Sequence, residues 1–127
     1  MQDKYLYEYA VIRVVPRVER EEFLNVGIIL YCSKKGFLEA KIQVNEDRFK
    51  AFSSNIEISE LKEYLHTWER ICKGGKEGGS IGLLPTASRF RWLTATRSTI
   101  VQTSKTHPGL CGNASETLDC LFQELVL

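Results

Sequence analysis

The side chains best suited to chemistry in this chain are arginines that lie close together near residue 90. A guanidinium group holds a carboxylate or a phosphate through two parallel hydrogen bonds, and neighbouring hydroxyl or imidazole groups add further donors. The pattern predicts a site for a small phosphorylated or nucleotide-like anion. Its candidate residues are Arg89, Arg91, Arg97, Ser98, Thr99 and His107.

The even charge balance of the whole chain hides a local excess around these arginines. The 17 basic and 16 acidic residues give a net charge of +1, which indicates neither a nucleic-acid nor a membrane partner. Residues 73–112 nevertheless carry six basic side chains against one acid, whereas residues 57–72 and 113–127 are net negative. Two interpretations stay open: the arginines bind an anion, or they form ion pairs with acids of the two negative segments.

A second polar group is expected inside the sheet. Arg13 lies in a segment that is apolar on both faces, and a charge there must be paired or must reach the end of the sheet. Glu22 is its candidate partner, and Asn25 lies in the next apolar segment. We expect Arg13, Glu22 and Asn25 to form one buried polar network that fixes strand register, with an active site as the alternative interpretation.

Catalytic and metal-binding motifs are weak in this sequence. The glycine-rich segment 74–80 lacks the phosphate-loop pattern, because Lys76 is followed by a glutamate where that pattern needs Ser or Thr. His107 and Cys111 are close in sequence, but spacing alone does not make them converge as metal ligands or as base and nucleophile. We predict no catalytic residue, no metal and no cofactor, and we leave open whether the protein is an enzyme.

Hydrophobic periodicity predicts the elements that must position these groups. Alternating apolar residues indicate strands, and apolar residues three and four positions apart indicate helices. We predict strands near residues 5–15, 23–32, 37–44 and 99–104, and helices near residues 59–72 and 114–125. This order predicts one α+β domain over residues 1–127, with an antiparallel β-sheet of about four strands packed with helices.

Local signals refine this outline. Gly27 inside a strand predicts a bulge or a close approach by another backbone. Ser59 is the expected N-cap of the first long helix, and Asn113 is the expected N-cap of the last one. Segment 81–96 fits a helix or a strand equally well. The segment His107–Leu110 is predicted to be a turn because it contains Pro-Gly.

Composition and cysteine spacing predict a cytoplasmic protein. No apolar run approaches the roughly 18 residues that a membrane span needs, and the first residues lack the basic and then apolar pattern of a secretory signal. The four cysteines form no C-x-x-C pair, and we expect all of them to be buried as small hydrophobic side chains in a reducing compartment. No membrane partner is expected.

Several motifs, in this order, resemble those of a known family. They are YAVIRVVP at 9–16, EFLNVGII at 22–29, FRWLT at 90–94, RSTIVQ at 97–102, HPGL at 107–110 and LDCLF at 118–122. Together they resemble the uncharacterised bacterial family named domain of unknown function 3037. The resemblance implies no established activity. It does imply a protein partner, because genes of that family are frequent neighbours of genes for HipA-like kinases.

Two function hypotheses follow from the sequence. The leading one is a small bacterial interaction or accessory module without catalytic activity, which partners a HipA-like kinase. The alternative is an enzyme or sensor that binds a small anion through the arginine cluster. Nucleic-acid binding ranks third and is not expected, because the basic segment is short and acidic segments flank it.

Overall fold

Within residues 4–52, 56–97 and 99–127, which the computed structural model describes, five strands form one antiparallel sheet. They are β1 (Tyr5–Val14), β2 (Leu24–Cys32), β3 (Phe37–Ile42), β4 (Val101–Thr103) and β5 (His107–Cys111). β2 lies between β3 and β1. The other edge of β1 is shared, because β5 pairs with residues 5–9 and β4 pairs with residues 12–14.

Helices cover both faces of this sheet. They are α1 (Glu46–Phe52), α2 (Ile58–Lys73), α3 (Gly79–Gly82), α4 (Thr86–Thr94) and α5 (Ala114–Leu125). Buried residues of α1, α2 and α4 form one apolar core with the sheet, and α5 forms a second core on the opposite face. The fold is therefore α+β, as the sequence predicts. Among the described helices, none is both long enough and apolar enough to cross a membrane.

Alternation along β1 divides its side chains between the two cores. Ala10, Ile12 and Val14 are fully buried on the face covered by α2 and α4, whereas Val11 is buried on the face covered by α5. A strand that is apolar on both faces belongs in the middle of a sheet, where neither face meets water. Its position between β2 and the β4 and β5 strands follows from this pattern.

Gly27 lies beside a β-bulge and close to the backbone of β3. The pairing of β1 with β2 shifts between Ile12, which faces Gly27, and Arg13, which faces Asn25. Val26 is thus the extra residue of the bulged strand. A Cβ atom on Gly27 would lie only 2.6 Å from the carbonyl oxygen of a residue in β3. The predicted close approach is confirmed, and the bulge lies directly beside it.

The turn predicted at residues 107–110 is wrong, because these residues belong to strand β5. Pro-Gly is a strong local turn signal, but here the pairing with β1 decides the conformation. Pro108 lacks an N–H group, and it is accommodated because β5 lies at the edge of the sheet. Gly109 is required by packing, since a Cβ atom there would lie 2.5 Å from the ring of Tyr7. The sheet consequently has one strand more than the number predicted.

Segment 81–96, which the sequence left open, is largely helical. It contains the end of α3 and all of α4. Phe90 and Leu93, three positions apart in α4, are both fully buried, and Pro85 directly precedes the helix, a position where its missing N–H costs nothing. The helical spacing of these two apolar residues therefore determines the conformation.

The predicted N-caps agree with the structure at one helix and not at the other. The Oδ1 atom of Asn113 accepts a hydrogen bond from the backbone N–H of Glu116 at 3.0 Å, which confirms the N-cap of α5. At α2 the prediction is wrong, because the helix begins at Ile58 with Glu57 in the N-cap position. The hydroxyl group of Ser59 instead donates to the Glu57 carboxylate at 2.9 Å.

The prediction that all four cysteines are buried holds for three of them. Cys32, Cys72 and Cys111 are buried, whereas Cys120 is exposed. Cys120 lies two positions from both Leu118 and Phe122, the buried residues of α5. Because two positions are about half a helical turn, Cys120 faces solvent.

The close approach at Gly27 generates the first prediction. Gly27→Ala should lower the free energy of unfolding by about 1–3 kcal/mol, because the added methyl group has to displace β3. Urea denaturation of the variant and the parent protein measures the loss. Gly36→Asn is the matched control: Gly36 has φ +57° and no atom within 4 Å of a built Cβ, and Asn tolerates this conformation. Equal losses in both variants would contradict the prediction.

Candidate functional site

Arg89, the first of the predicted anion-binding arginines, binds the C-terminal end of α2. Its Nη1 donates to the carbonyl oxygens of Ile71 at 2.8 Å and of Cys72 at 2.7 Å. Its Nε donates to the carbonyl oxygen of Leu84 at 3.0 Å. The last carbonyl groups of a helix lack partners within that helix, so a charged donor stabilises them. Arg89 therefore ties α4 to the end of α2.

Arg91 and Arg97 contact other partners. Nη2 of Arg91 lies 2.7 Å from one carboxylate oxygen of Glu8, and Nη1 lies 3.3 Å from the other. This bidentate ion pair joins α4 to β1. Arg97 donates to the carbonyl group of Trp92, and its guanidinium carbon lies 4.9 Å from the ring centroid of Trp92 and 5.6 Å from that of Trp68. The two side chains are thus held by separate contacts.

The other predicted members of the anion site are dispersed as well. The hydroxyl group of Thr99 donates to the carbonyl oxygen of Val101 at 2.8 Å. His107 is exposed in β5, and its ring centroid lies 5.3 Å from that of Tyr9. Ser98 lies outside the described residues. Contacts of the described residues do not join these side chains to the three arginines.

Arg89 and Arg91 do not form the ion pairs predicted with the two negative segments. Ion pairs with acids of the two negative helices were the alternative to anion binding, but Arg89 takes main-chain carbonyl groups and Arg91 takes a carboxylate of β1. Their charge is used to connect elements of the fold. Anion binding by this set of residues stays a prediction.

Strand β5 also separates His107 from Cys111. Four residues of extended strand span about 13 Å, so the imidazole and thiol groups are far beyond hydrogen-bonding distance. Cys111 is buried, and this burial raises the pKa of its thiol. The pair thus lacks the geometry of a base and a nucleophile. Among the described residues, no group of three or more His, Cys, Asp and Glu side chains is arranged to hold a metal ion.

The structure divides the predicted network of Arg13, Glu22 and Asn25. Arg13 and Asn25 face each other across β1 and β2, but Nε of Arg13 and Oδ1 of Asn25 are both buried without a hydrogen-bond partner among the described residues. Nδ2 of Asn25 donates to the carbonyl oxygen of Leu125 at 3.0 Å. Glu22 pairs with Arg20 at the surface. Arg13 and Asn25 therefore lie opposite each other, as predicted, but no hydrogen bond between them is among the described contacts.

A groove of about 580 Å³ lies between the start of α2 and the segment that leads into β4. We name it the Tyr64 groove. Its lining residues are Pro16, Ile56, Glu57, Glu60, Leu61, Tyr64, Thr99, Ile100 and Val101. Four of these residues lie three and four positions apart at the start of α2, so they share one helix face.

The Tyr64 groove combines exposed apolar groups with acidic ones. Tyr64 is 45% exposed and Ile100 is 49% exposed, and both line this groove. The two acidic lining residues are Glu57, which accepts a hydrogen bond from Ser59, and Glu60, which forms no ion pair with a described residue. The groove therefore offers an apolar floor with negative charge beside it.

The sequence analysis did not predict this groove, and it named Thr99 only as a candidate of the anion site. The available signal is the spacing of Glu57, Glu60, Leu61 and Tyr64, which places a tyrosine and two acids on the flank of the buried stripe of α2. That signal predicts a face of the helix. It does not identify the second wall, which comes from residues 99–101.

Comparison with known proteins gives one match. A family model with the description "Protein of unknown function (DUF3037)" matches residues 9–126. No curated protein and no solved structure matches the chain. The matched region contains the walls of the Tyr64 groove and the arginines of α4.

The contacts of Arg89 and Arg91 predict different stability effects. Arg89→Ala should lower the free energy of unfolding by about 1.5–3 kcal/mol, because it leaves carbonyl groups of α2 without a charged donor. Arg91→Ala should lower it by about 0–1 kcal/mol, because the pair with Glu8 is largely exposed to solvent. Urea denaturation of both variants measures the difference. A larger loss for Arg91→Ala than for Arg89→Ala would contradict the assigned roles.

Proposed function

The chain belongs to the family described as Protein of unknown function (DUF3037), and we propose that it is a protein-interaction module whose Tyr64 groove binds an apolar, basic segment of a partner protein. The observation that carries this proposal is the groove itself. It leaves Tyr64 and Ile100 about half exposed next to two carboxylates.

The apolar part of the groove supports a bound polypeptide segment. Burial of the exposed parts of Tyr64 and Ile100 would contribute free energy in proportion to the apolar area covered. Tyrosine is suited to such a surface, because its ring packs against apolar groups and its hydroxyl group still forms hydrogen bonds. A volume of about 580 Å³ suits a few side chains of a docked peptide.

The charge of the groove supports a basic partner. Glu57 and Glu60 line it, and none of its described lining residues is basic. A lysine or arginine of the bound segment would meet these carboxylates, which speeds association and disfavours acidic partners. We infer a segment with alternating or helically spaced apolar and basic residues.

The partner protein is proposed separately from the groove. The family resemblance implies a HipA-like kinase partner and a bacterial protein, and these two predictions rest on the resemblance alone. The cytoplasmic location is a prediction from composition and cysteine spacing. Anion binding through Arg89, Arg91 and Arg97 is the weaker candidate, because described partners already hold all three guanidinium groups.

A designed peptide tests the groove directly. A short labelled peptide of alternating leucine and lysine should bind the protein in fluorescence anisotropy, and the leucine and glutamate peptide of equal length should not. Tyr64→Ser and Glu60→Lys should each weaken binding of the basic peptide by at least about tenfold. Each removes one of the two attractions, the apolar contact or the negative charge.

Leu6→Ser is the matched control for this experiment. Leu6 is 60% exposed in β1 and does not line the Tyr64 groove, so its removal should leave peptide binding unchanged. Equal binding of the acidic peptide, or unchanged binding by Tyr64→Ser, would contradict the proposal. The same variants, co-expressed with a HipA-like kinase from a genome that encodes both proteins, test the partner. Co-purification that Tyr64→Ser abolishes and Leu6→Ser retains supports that partner, and failure of the kinase to co-purify with the parent chain contradicts it.

A further inference from the structure

A second cavity, of about 330 Å³, lies beside the C-terminal end of β1. We name it the Arg13 cavity. Its lining residues are Arg13, Val15, Val18, Glu21, Phe23 and Gln102. It shares no lining residue with the Tyr64 groove, so its ligand is independent of the proposed function.

Arg13 differs from every other arginine of the chain. The other seven are all described, and each donates a hydrogen bond to a described residue. To the described residues Arg13 donates no hydrogen bond, and its Nε is buried without a partner among them. A buried charged donor that lacks an acceptor costs more than an ordinary hydrogen bond contributes. Within the described residues, the Nε group of this guanidinium therefore lacks an acceptor.

Packing fixes the position of this guanidinium group. Its central carbon lies 4.0 Å from the ring centroid of Phe23, a contact in which the aromatic face attracts the cation. The bulge at Val26 bends β2 opposite Arg13. Asn25 and Gln102 are its neighbours on the flanking strands. The side-chain amide of Asn25 donates to the carbonyl oxygen of Leu125, and that of Gln102 donates to the carbonyl oxygen of Thr99. Arg13 is thus positioned without being neutralised.

Glu21 supplies the opposite charge in the same cavity. It has φ 56°, a left-handed conformation that costs free energy for a residue other than glycine. The neighbouring charges of its loop pair among themselves, Arg17 with Glu19 and Arg20 with Glu22. Within the described residues, Glu21 takes part in no ion pair. The cavity therefore carries one positive group and one negative group that do not neutralise each other.

We propose that the Arg13 cavity binds a small α-amino acid with an apolar side chain. The carboxylate of the ligand accepts hydrogen bonds from the two terminal nitrogens of Arg13, a bidentate geometry that guanidinium favours. Its ammonium group meets the carboxylate of Glu21. Its side chain packs against Val15, Val18 and Phe23. The cavity volume is at the lower end for ligand sites, and Glu21 repels phosphates that carry two negative charges.

Isothermal titration calorimetry of the full chain with L-leucine and L-phenylalanine tests the proposal. Either amino acid should bind at up to millimolar concentration. 4-Methylpentanoate lacks the ammonium group and 3-methylbutylamine lacks the carboxylate, so both should bind at least about tenfold more weakly. Arg13→Gln and Glu21→Gln should each weaken amino-acid binding to a similar extent. Arg17→Gln, which removes an exposed arginine of the same loop, is the control and should bind like the parent.

A measurement on the parent protein keeps the proposal testable if Arg13→Gln does not fold. Titration of leucine should shift the NMR signal of the Arg13 Nε–H group, and it should leave the signal of Arg89 Nε–H unchanged. Absence of binding by both amino acids would overturn the proposal. Equal binding of 4-methylpentanoate, binding that Arg17→Gln weakens as strongly as Arg13→Gln does, or a titration that leaves Arg13 unshifted would overturn it too.

Discussion

The burial of β1 on both faces is the constraint on which the rest of the structure depends. Ala10, Ile12 and Val14 on one face and Val11 on the other are buried, so this strand needs helices on both sides of the sheet. It also needs hydrogen-bonding partners along both edges, and β4 and β5 together supply the second edge. Strand β1 therefore pairs or packs with segments from distant parts of the chain. The Tyr64 groove and the Arg13 cavity both lie near its C-terminal end, where β4 meets it.

Charge serves this fold in two opposite ways. The basic segment around α4 contributes arginines whose guanidinium groups point to carbonyl groups of α2 and to a carboxylate of β1. These contacts place α4 over the sheet. They also give partners to the guanidinium groups that form the basic cluster of the sequence. Arg13 shows the reverse, since its sequence context predicts a charge that is paired or reaches the end of the sheet, and its Nε has no hydrogen-bond partner among the described residues. Local charge density alone therefore does not show which guanidinium groups lack partners among the described residues.

How well the sequence predicts an element of this structure depends on how far apart in the chain the residues that stabilise it lie. β1, β2, α2 and α5 are predictable because their apolar periodicity is local and strong. β5 is not, because its Pro-Gly signal is local while the pairing with β1 that decides its conformation spans the chain. The candidate sites show the same limit. The partner of Arg91 is Glu8, 83 positions away, and residues 99–101 reach the start of α2 only through the sheet. Of the groove residues, the sequence analysis named only Thr99, and it assigned Thr99 to the anion site.

Backbone hydrogen exchange with and without the basic leucine and lysine peptide tests the central claim most directly. The claim is that buried β1 holds a preformed groove in which a partner segment docks. The slowest amides of the protein alone should then be those of β1 and β2, which open only on global unfolding. Added peptide should slow exchange at the start of α2 and at residues 99–101, and nowhere along β5. Fast exchange throughout β1, or peptide protection confined to β5, would contradict the account.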